Sequence, residues 1–196
     1  MTFLHRLGVG ACLADDMGLG KTIQFIALLL HERQLAAEQG REVGPTLLFA
    51  PTSVLGNWRY EMARFAPTLR LLVHHGVQRV HGEAFKEAAL NSDLVITTYA
   101  LAGRDLEDFK QVRWHRLALD EAQKIKNPSA ASTQAIRSLP ANFRVALTGT
   151  PIENHLSELW SIMEILNPGL LGSASDFRER FAVPIEQIGD SNRAQH

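Results

Sequence analysis

The chain has 196 residues, 45% of them hydrophobic and 21% charged, a composition that suits one ordinary globular domain with a sizeable core. The formal net charge of −1 excludes a uniformly basic nucleic-acid binder, so any DNA site must be a local patch. One cysteine, Cys12, excludes an internal disulfide framework and points to a reducing compartment.

The N-terminus lacks a charged, apolar, cleavage-site pattern, so no signal peptide is expected. The apolar stretch Ile26 to Leu30 is far too short for a bilayer, and no membrane partner is expected. No internal repeat or low-complexity tract is present.

In chain order, the apolar run 10–14 predicts a first strand. A helix follows from about Lys21 to Gln39, with Ile23, Ile26, Ala27 and Leu30 as one stripe. Phe25, Leu28 and Leu29 cover other faces, which predicts a central helix apolar all round. Gly40 stands where a helix-ending glycine belongs. Thr46 to Ala50 reads as a second, fully buried strand. Pro51-Thr52-Ser53 then turns into a helix with Leu55, Trp58, Met62 and Phe65 inward, stopped by Pro67. Leu69 to Val73 is a third strand, Gly82 to Leu90 a short helix with Phe85, Ala88 and Ala89 inward, and Asp93 to Thr98 a fourth strand. Leu101 to Val112 reads as helix then loop. Arg116 to Leu119 is a fifth strand running into Asp120-Glu121, Ser129 to Leu139 a helix, and Phe143 to Leu147 a sixth strand. After Pro151 comes a helix with Leu156, Leu159, Trp160, Met163 and Leu166 inward, ended by Asn167-Pro168-Gly169. A last helix opens at Ser173, where Ser173-x-x-Asp176 resembles a capping box.

Such alternation predicts an α/β fold, a parallel sheet with helices on both faces. Ligands of such sheets sit beyond the carboxyl ends of the strands, and every polar motif here falls at such an end.

Asp15-Asp16-Met17-Gly18-Leu19-Gly20-Lys21-Thr22 joins the first strand to the first helix. Gly-Lys-Thr in a strand-turn-helix context reads as a phosphate cradle, although Asp15 replaces the first glycine of the general pattern. Backbone N–H groups and the helix dipole would face the anion. Asp16, Met17, Gly18, Leu19, Gly20, Lys21 and Thr22 are the candidate nucleotide contacts, with Lys21 reaching the β and γ phosphates and Thr22 holding Mg²⁺. Asp120 is the second candidate Mg²⁺ ligand, and adjacent Glu121 suits the task of deprotonating water. Leu147-Thr148-Gly149-Thr150-Pro151 supplies small hydroxyls able to report nucleotide state, or is a simple turn.

Asp-Asp-Met-Gly-Leu-Gly-Lys-Thr, Ala-Pro-Thr-Ser-Val-Leu-Gly-Asn-Trp, Ile-Thr-Thr-Tyr, Asp-Glu-Ala-Gln-Lys-Ile-Lys-Asn and Leu-Thr-Gly-Thr-Pro-Ile-Glu-Asn occur in that order. Together they resemble the first half of the Swi/Snf-type motor, a helicase-like ATPase of superfamily II. Asn167 to Gly172 and Phe177 to Phe181 resemble the same family. The resemblance implies a RecA-like P-loop NTPase lobe over residues 1–168 and the start of a helical protrusion over 169–196. It implies ATP and Mg²⁺ as ligands. Lys21, Asp120, Glu121 and Gln123 would be catalytic, and Thr148, Gly149 and Thr150 would couple nucleotide state to DNA. Gln123 stands where many members have His, which suggests a bacterial-type variant with a DEAQ box. Pro51, Thr52, Ser53, Thr97 and Thr98 would line a double-stranded DNA track, where hydroxyls and free N–H groups contact phosphates without reading bases. Lys126 is a further candidate on that track.

The family's adenine-recognising glutamine motif and its second RecA-like lobe, with an arginine finger, are not in this stretch. The expected unit is therefore half an engine, inactive or weak alone, partnered by the second lobe, double-stranded DNA and a protein or nucleoprotein substrate. Its expected location is the bacterial cytoplasm at the nucleoid, or the nucleus if eukaryotic. Two other readings stay open on the residues alone: a small-molecule P-loop kinase and a non-catalytic nucleotide-binding remnant. Adjacent His74 and His75 are poorly spaced for a metal, and Trp58, Trp114 and Trp160 read as core.

Overall fold

The structure is a computed structural model that describes residue 4 and residues 7–16, 18–152 and 155–185. Six strands form one sheet: β1 (Ala11–Leu13), β2 (Thr46–Ala50), β3 (Leu71–Val73), β4 (Leu94–Thr98), β5 (Trp114–Asp120) and β6 (Ala141–Leu147). Their spatial order is β1-β6-β5-β2-β4-β3, and every pairing is parallel.

This order explains the two layers. From β1 the chain steps across the sheet to β2 and on to β3, then returns through β4 and β5 to β6. Right-handed crossovers place outward and return connections on opposite faces. The outward helices α1 (Lys21–Glu38) and α2 (Leu55–Phe65) accordingly share one core, where Phe25, Leu29, Trp58 and Met62 pack on Leu48, Ile96 and Ala118. The return helices α3 (Gly82–Leu90), α4 (Leu106–Lys110) and α5 (Ala131–Ser138) share the other, together with α6 (Leu156–Leu166). There Phe85, Phe109, Ile136 and Ile162 cover Leu47, Phe49, Leu117 and Leu119. Consecutive strand residues point to opposite faces, so β2 and β5 are apolar on both.

Two helix stripes differ from the expected ones. In α1 the inward set is Phe25, Ile26, Leu28, Leu29, Glu32 and Ala36; of the expected stripe Ile26 is buried and Leu30 half-buried, while Ile23 is 42% exposed and Ala27 is also exposed. The observed face is turned by about a third of a turn from the expected one, because apolar residues at Phe25, Leu28 and Leu29 beside Ile23, Ile26 and Leu30 leave the phase of the stripe undecided. Glu32 fixes it: its Oε1 accepts from Arg116 Nη2 of β5 at 2.5 Å, inside the core. In α6 the buried positions include Glu158, Ser161, Ile162 and Ile165, while Leu156, Leu159 and Met163 are half-buried. Phe65 is likewise on the surface at the end of α2, with Ala66 buried instead. Ala88 is half-buried, and β3 begins at Leu71, two residues later than expected.

Several termini follow the expected chemistry. Gly40 takes φ +63°, and the N–H groups of Gly40 and Arg41 donate back to Ala37 and Ala36, the double closure that a left-handed residue permits. Ser173 caps α7 (Ala174–Phe177) by accepting from the Asp176 N–H at 3.1 Å. Beyond it, Arg178–Ala182 is a π-helical turn, and Phe177 and Ala182 pack with Trp160 in a small separate cluster. Gly10 has no room for a side chain, since a Cβ there would lie 2.4 Å from the Leu166 carbonyl oxygen.

Candidate active site

Strand register brings the motifs to one rim. Leu13 is level with Leu147, and Leu147 with Asp120. Leu119 is level with Phe49, so Asp120 ends beside Ala50, which is level with Thr98. Each motif starts within two residues of that line. Lys21, Thr22, Gly18 and Gly20 therefore line one cleft of about 260 Å³ with Asp120 and Glu121. Val54, Asn57, Trp58 and Glu61 form its α2 wall.

The loop side of the cleft offers donors. Gly18 and Gly20 have φ of +86° and +72°, values that a side chain would strain. Gly20 begins α1 with no side-chain cap, and no acid lies in the first turn. The first N–H groups of α1 thus lack an intrahelical partner and carry the positive end of its dipole. The Lys21 ammonium folds over its own loop, donating to the Asp15 carbonyl at 2.8 Å and the Asp16 carbonyl at 3.0 Å. Gln24 fastens the loop from within α1 by donating to Asp15 Oδ2 and the Leu19 carbonyl. Met17 lies outside the described residues. Uncapped amides, a lysine and a hydroxyl are the donor set for a phosphate chain, and Thr22 with Asp120 offers oxygen ligands suited to Mg²⁺.

The acidic side is held tightly. Asp120 is 8% exposed. Its Oδ2 accepts from Trp58 Nε1 at 2.7 Å, and its Oδ1 accepts from the Glu121 N–H at 3.0 Å. Burial pushes its carboxyl up; the Trp58 hydrogen bond and the Lys21 charge oppose that push without cancelling it. The Tyr99 hydroxyl donates to the Asp120 carbonyl at 2.7 Å. Burial, then the charges of Asp120 and Glu121, raise the Tyr99 phenol well above its usual range, so it stays a donor. Glu121 has φ +51°, the one positive value at a non-glycine among the described residues. Backbone strain of this kind concentrates at functional sites.

From Glu121 a chain of hydrogen bonds runs to β6. Gln123 Nε2 donates to Glu121 Oε2 at 2.8 Å, Thr148 Oγ1 donates to Gln123 Oε1 at 2.8 Å, and the Thr150 N–H donates to Thr148 Oγ1 at 3.2 Å. Thr148 is fully buried, Gly149 half-buried and Thr150 exposed.

The expected DNA-facing residues divide. Thr52 and Ser53 are exposed and Pro51 is half-buried, in the turn between β2 and α2. Thr97 and Thr98 are 0% and 2% exposed. The strand that carries them is packed on both faces, with Val95 in one core and Ile96 in the other. Lys126 is exposed but paired, its Nζ 3.5 Å from Oε1 of buried Glu158. Trp58 and Tyr99 were not anticipated as site residues. Trp58 reads as core in the sequence and Tyr99 as the end of the Ile-Thr-Thr-Tyr motif; only their polar atoms' partners, remote in sequence, bring them to the site.

A model of the SNF2-related domain matches residues 1–195. The Bacillus subtilis (strain 168) protein YwqA, described as an ATP-dependent helicase/translocase, is 48% identical over 193 residues, covering 98% of this chain and 20% of YwqA. The chromatin-remodeling ATPase INO80 of Homo sapiens is 36% identical over 199 residues, covering 97% of this chain and 12% of INO80. The Sulfolobus solfataricus SWI2/SNF2 ATPase core, solved in complex with dsDNA, is 46% identical with a TM-score of 0.82, covering 95% of this chain and 37% of that one. The chain thus spans a fifth or less of the two curated relatives.

Proposed function

We propose that this chain, which belongs to the SNF2-related domain family, is the ATP-binding first motor lobe of a DNA-dependent ATPase that moves along double-stranded DNA. The observation that carries the proposal is the single cleft shared by Lys21, Thr22, Asp120 and Glu121. Family membership leaves no ground for the small-molecule kinase reading. The DNA partner is inferred from the Sulfolobus ATPase core solved with dsDNA and from the exposed Thr52–Ser53 turn on the same rim.

In this reading the amides of Gly18 to Thr22 and the Lys21 ammonium hold the triphosphate, with Lys21 exchanging its loop carbonyls for phosphate oxygens. Thr22 and Asp120 hold Mg²⁺, which when bound neutralises phosphate charge and aligns the reacting group. Glu121 takes the proton of the attacking water. Gln123, Thr148, Gly149 and Thr150 carry the state of that carboxylate toward the loop after β6. Residues 1–168 make this lobe, and residues from 169 onward begin a helical extension. A second lobe closes the cleft and supplies an arginine, a contribution of about 10³–10⁵ in rate in related NTPases.

The test is DNA-stimulated phosphate release by the full-length protein. Glu121→Gln is expected to lower it by about 10²–10⁴ with nucleotide binding retained. Lys21→Ala is expected to abolish both. Turnover near normal in Glu121→Gln, or turnover indifferent to duplex DNA in the parent, would overturn the proposal.

A further inference from the structure

Asp120 is the most heavily tethered residue of the cleft, and its tethers come from two elements outside the acidic motif. Trp58 stands in the second turn of α2, fully buried, with its ring edge-on to Phe25 of α1 at a centroid distance of 6.0 Å. That packing fixes the direction of the indole N–H, which ends on Asp120 Oδ2 at 2.7 Å. The other carboxylate oxygen is occupied by the Glu121 N–H. Each oxygen of a carboxylate has two lone-pair directions. With one on each oxygen filled, the plane of the carboxylate is set and the remaining lone pairs are the only ones left for a cation. Tyr99 holds the same residue from its backbone side, through the carbonyl. Its ring rests on Phe49 of β2, 6.2 Å between centroids. The Asp120 carbonyl directly precedes the strained Glu121, so the Tyr99 hydroxyl also limits rotation of the peptide that aims the Glu121 side chain.

We propose that Trp58 and Tyr99 are positioning residues for the metal-dependent part of nucleotide binding: Trp58 by orienting the Asp120 carboxylate, Tyr99 by fixing its backbone. This rests on the assignment of Thr22 and Asp120 to Mg²⁺ made above. The hydrogen-bond partners of metal ligands set ligand orientation, and losing one commonly weakens metal affinity by about 10–100-fold. The polar atoms of both rings are spent on Asp120 and not on the loop, so removing them spares the part of the affinity that needs no metal.

The experiment measures binding of a fluorescent N-methylanthraniloyl-ADP probe to the full-length protein by anisotropy, once with excess Mg²⁺ and once with EDTA. The quantity read is the ratio of the two affinities. Trp58→Phe keeps an aromatic ring against Phe25 and removes the N–H together with part of the indole's volume. It is expected to lower the ratio by about 10-fold or more with the EDTA affinity unchanged. Tyr99→Phe is expected to lower it in the same direction. A purely packing role predicts that both affinities fall together and the ratio holds, which would overturn the proposal. Should Trp58→Phe fail to fold, Tyr99→Phe decides alone, and an unchanged ratio in it is the overturning result. Asp120→Asn separates the two levels of inference. If it leaves the ratio unchanged, the assignment of Asp120 to Mg²⁺ fails. If it collapses the ratio while both aromatic variants keep it, only the positioning proposal fails.

Discussion

The Thr148 hydroxyl donates to Gln123 Oε1 at 2.8 Å, joining the loop after β6 to the acidic motif after β5. Because the Gln123 amide nitrogen is spent on Glu121, one glutamine holds both ends of the connection. A side-chain amide can do this since it carries a donor and an acceptor on one planar group.

Thr148→Val keeps the shape of a buried residue and removes the hydroxyl. It leaves the Gln123 oxygen and the Thr150 N–H without that partner, at a cost of about 1–3 kcal/mol in stability. Gln123, which holds Glu121, loses its anchor, and displacement of a group at the reacting centre by ~1 Å can cost on the order of 10²-fold. The expected result in the full-length protein is a large fall in turnover with nucleotide affinity preserved. Equilibrium binding and single-turnover hydrolysis, measured side by side, check it. A fall in affinity that accounts for the whole loss of turnover would contradict it.

Glu121 occupies a left-handed conformation that costs an L-residue about 1–2 kcal/mol and glycine almost nothing. Glu121→Gly is therefore expected to hold or raise the melting temperature while hydrolysis is lost. Glu121→Gln, which keeps the Cβ, is expected to leave stability where it was. Thermal melts of the two variants beside the parent test this. A clear drop in melting temperature for the glycine variant would show that its lost bond to Gln123 outweighs the relieved strain.

Glu32 and Arg116 form an ion pair inside the core, Arg116 being 1% exposed. Removing one partner strands a buried charge, and Glu32→Leu is expected to cost about 3–5 kcal/mol. Adding Arg116→Met removes the stranded charge and is expected to recover most of that loss. Chemical denaturation of the single and double variants reads the difference. Additive losses in the double variant would mean the pair contributes more than burial of its apolar replacements.

Acid lability should come in two steps. Burial holds the His74 imidazole below its usual range, the Asp105 hydrogen bond opposing this only in part. Folding thus favours neutral His74, and its contribution is full above the unfolded value of about 6.5 and declines as pH falls from there. Asp93 and Asp105 are pushed up by burial, but the hydrogen bonds from Arg70 and Arg33, and from Arg79 and His74, bring both below the ordinary carboxylate range. Their contribution is full above about 3.9 and is lost as pH falls through the folded values. Unfolding free energy measured from pH 8 to pH 3 should show a first decline below about 6.5 and a steeper one below about 3.9. His74→Gln should remove the first decline alone; its survival in that variant would assign it to another group.

The linear chain was enough for the architecture and for the glycine-rich loop at its rim. Gly20-Lys21-Thr22 between an apolar strand and a helix, and Asp120-Glu121 after another, place themselves on one rim once the strands are parallel, because parallel strands end together. What the chain could not reveal was phase and partnership. Ile23 and Phe25 are equally apolar, and only the sheet beneath α1 decided which turned inward. Thr97 and Thr98 carry the hydroxyls of a surface turn, yet the layers packed on both faces of the sheet bury the strand that carries them. Trp58 and Asp120 are 62 residues apart, and their hydrogen bond exists because α2 lies across the end of β5. Propensity and pattern act over neighbouring residues, whereas the aim of a buried donor is set by every surface packed against it.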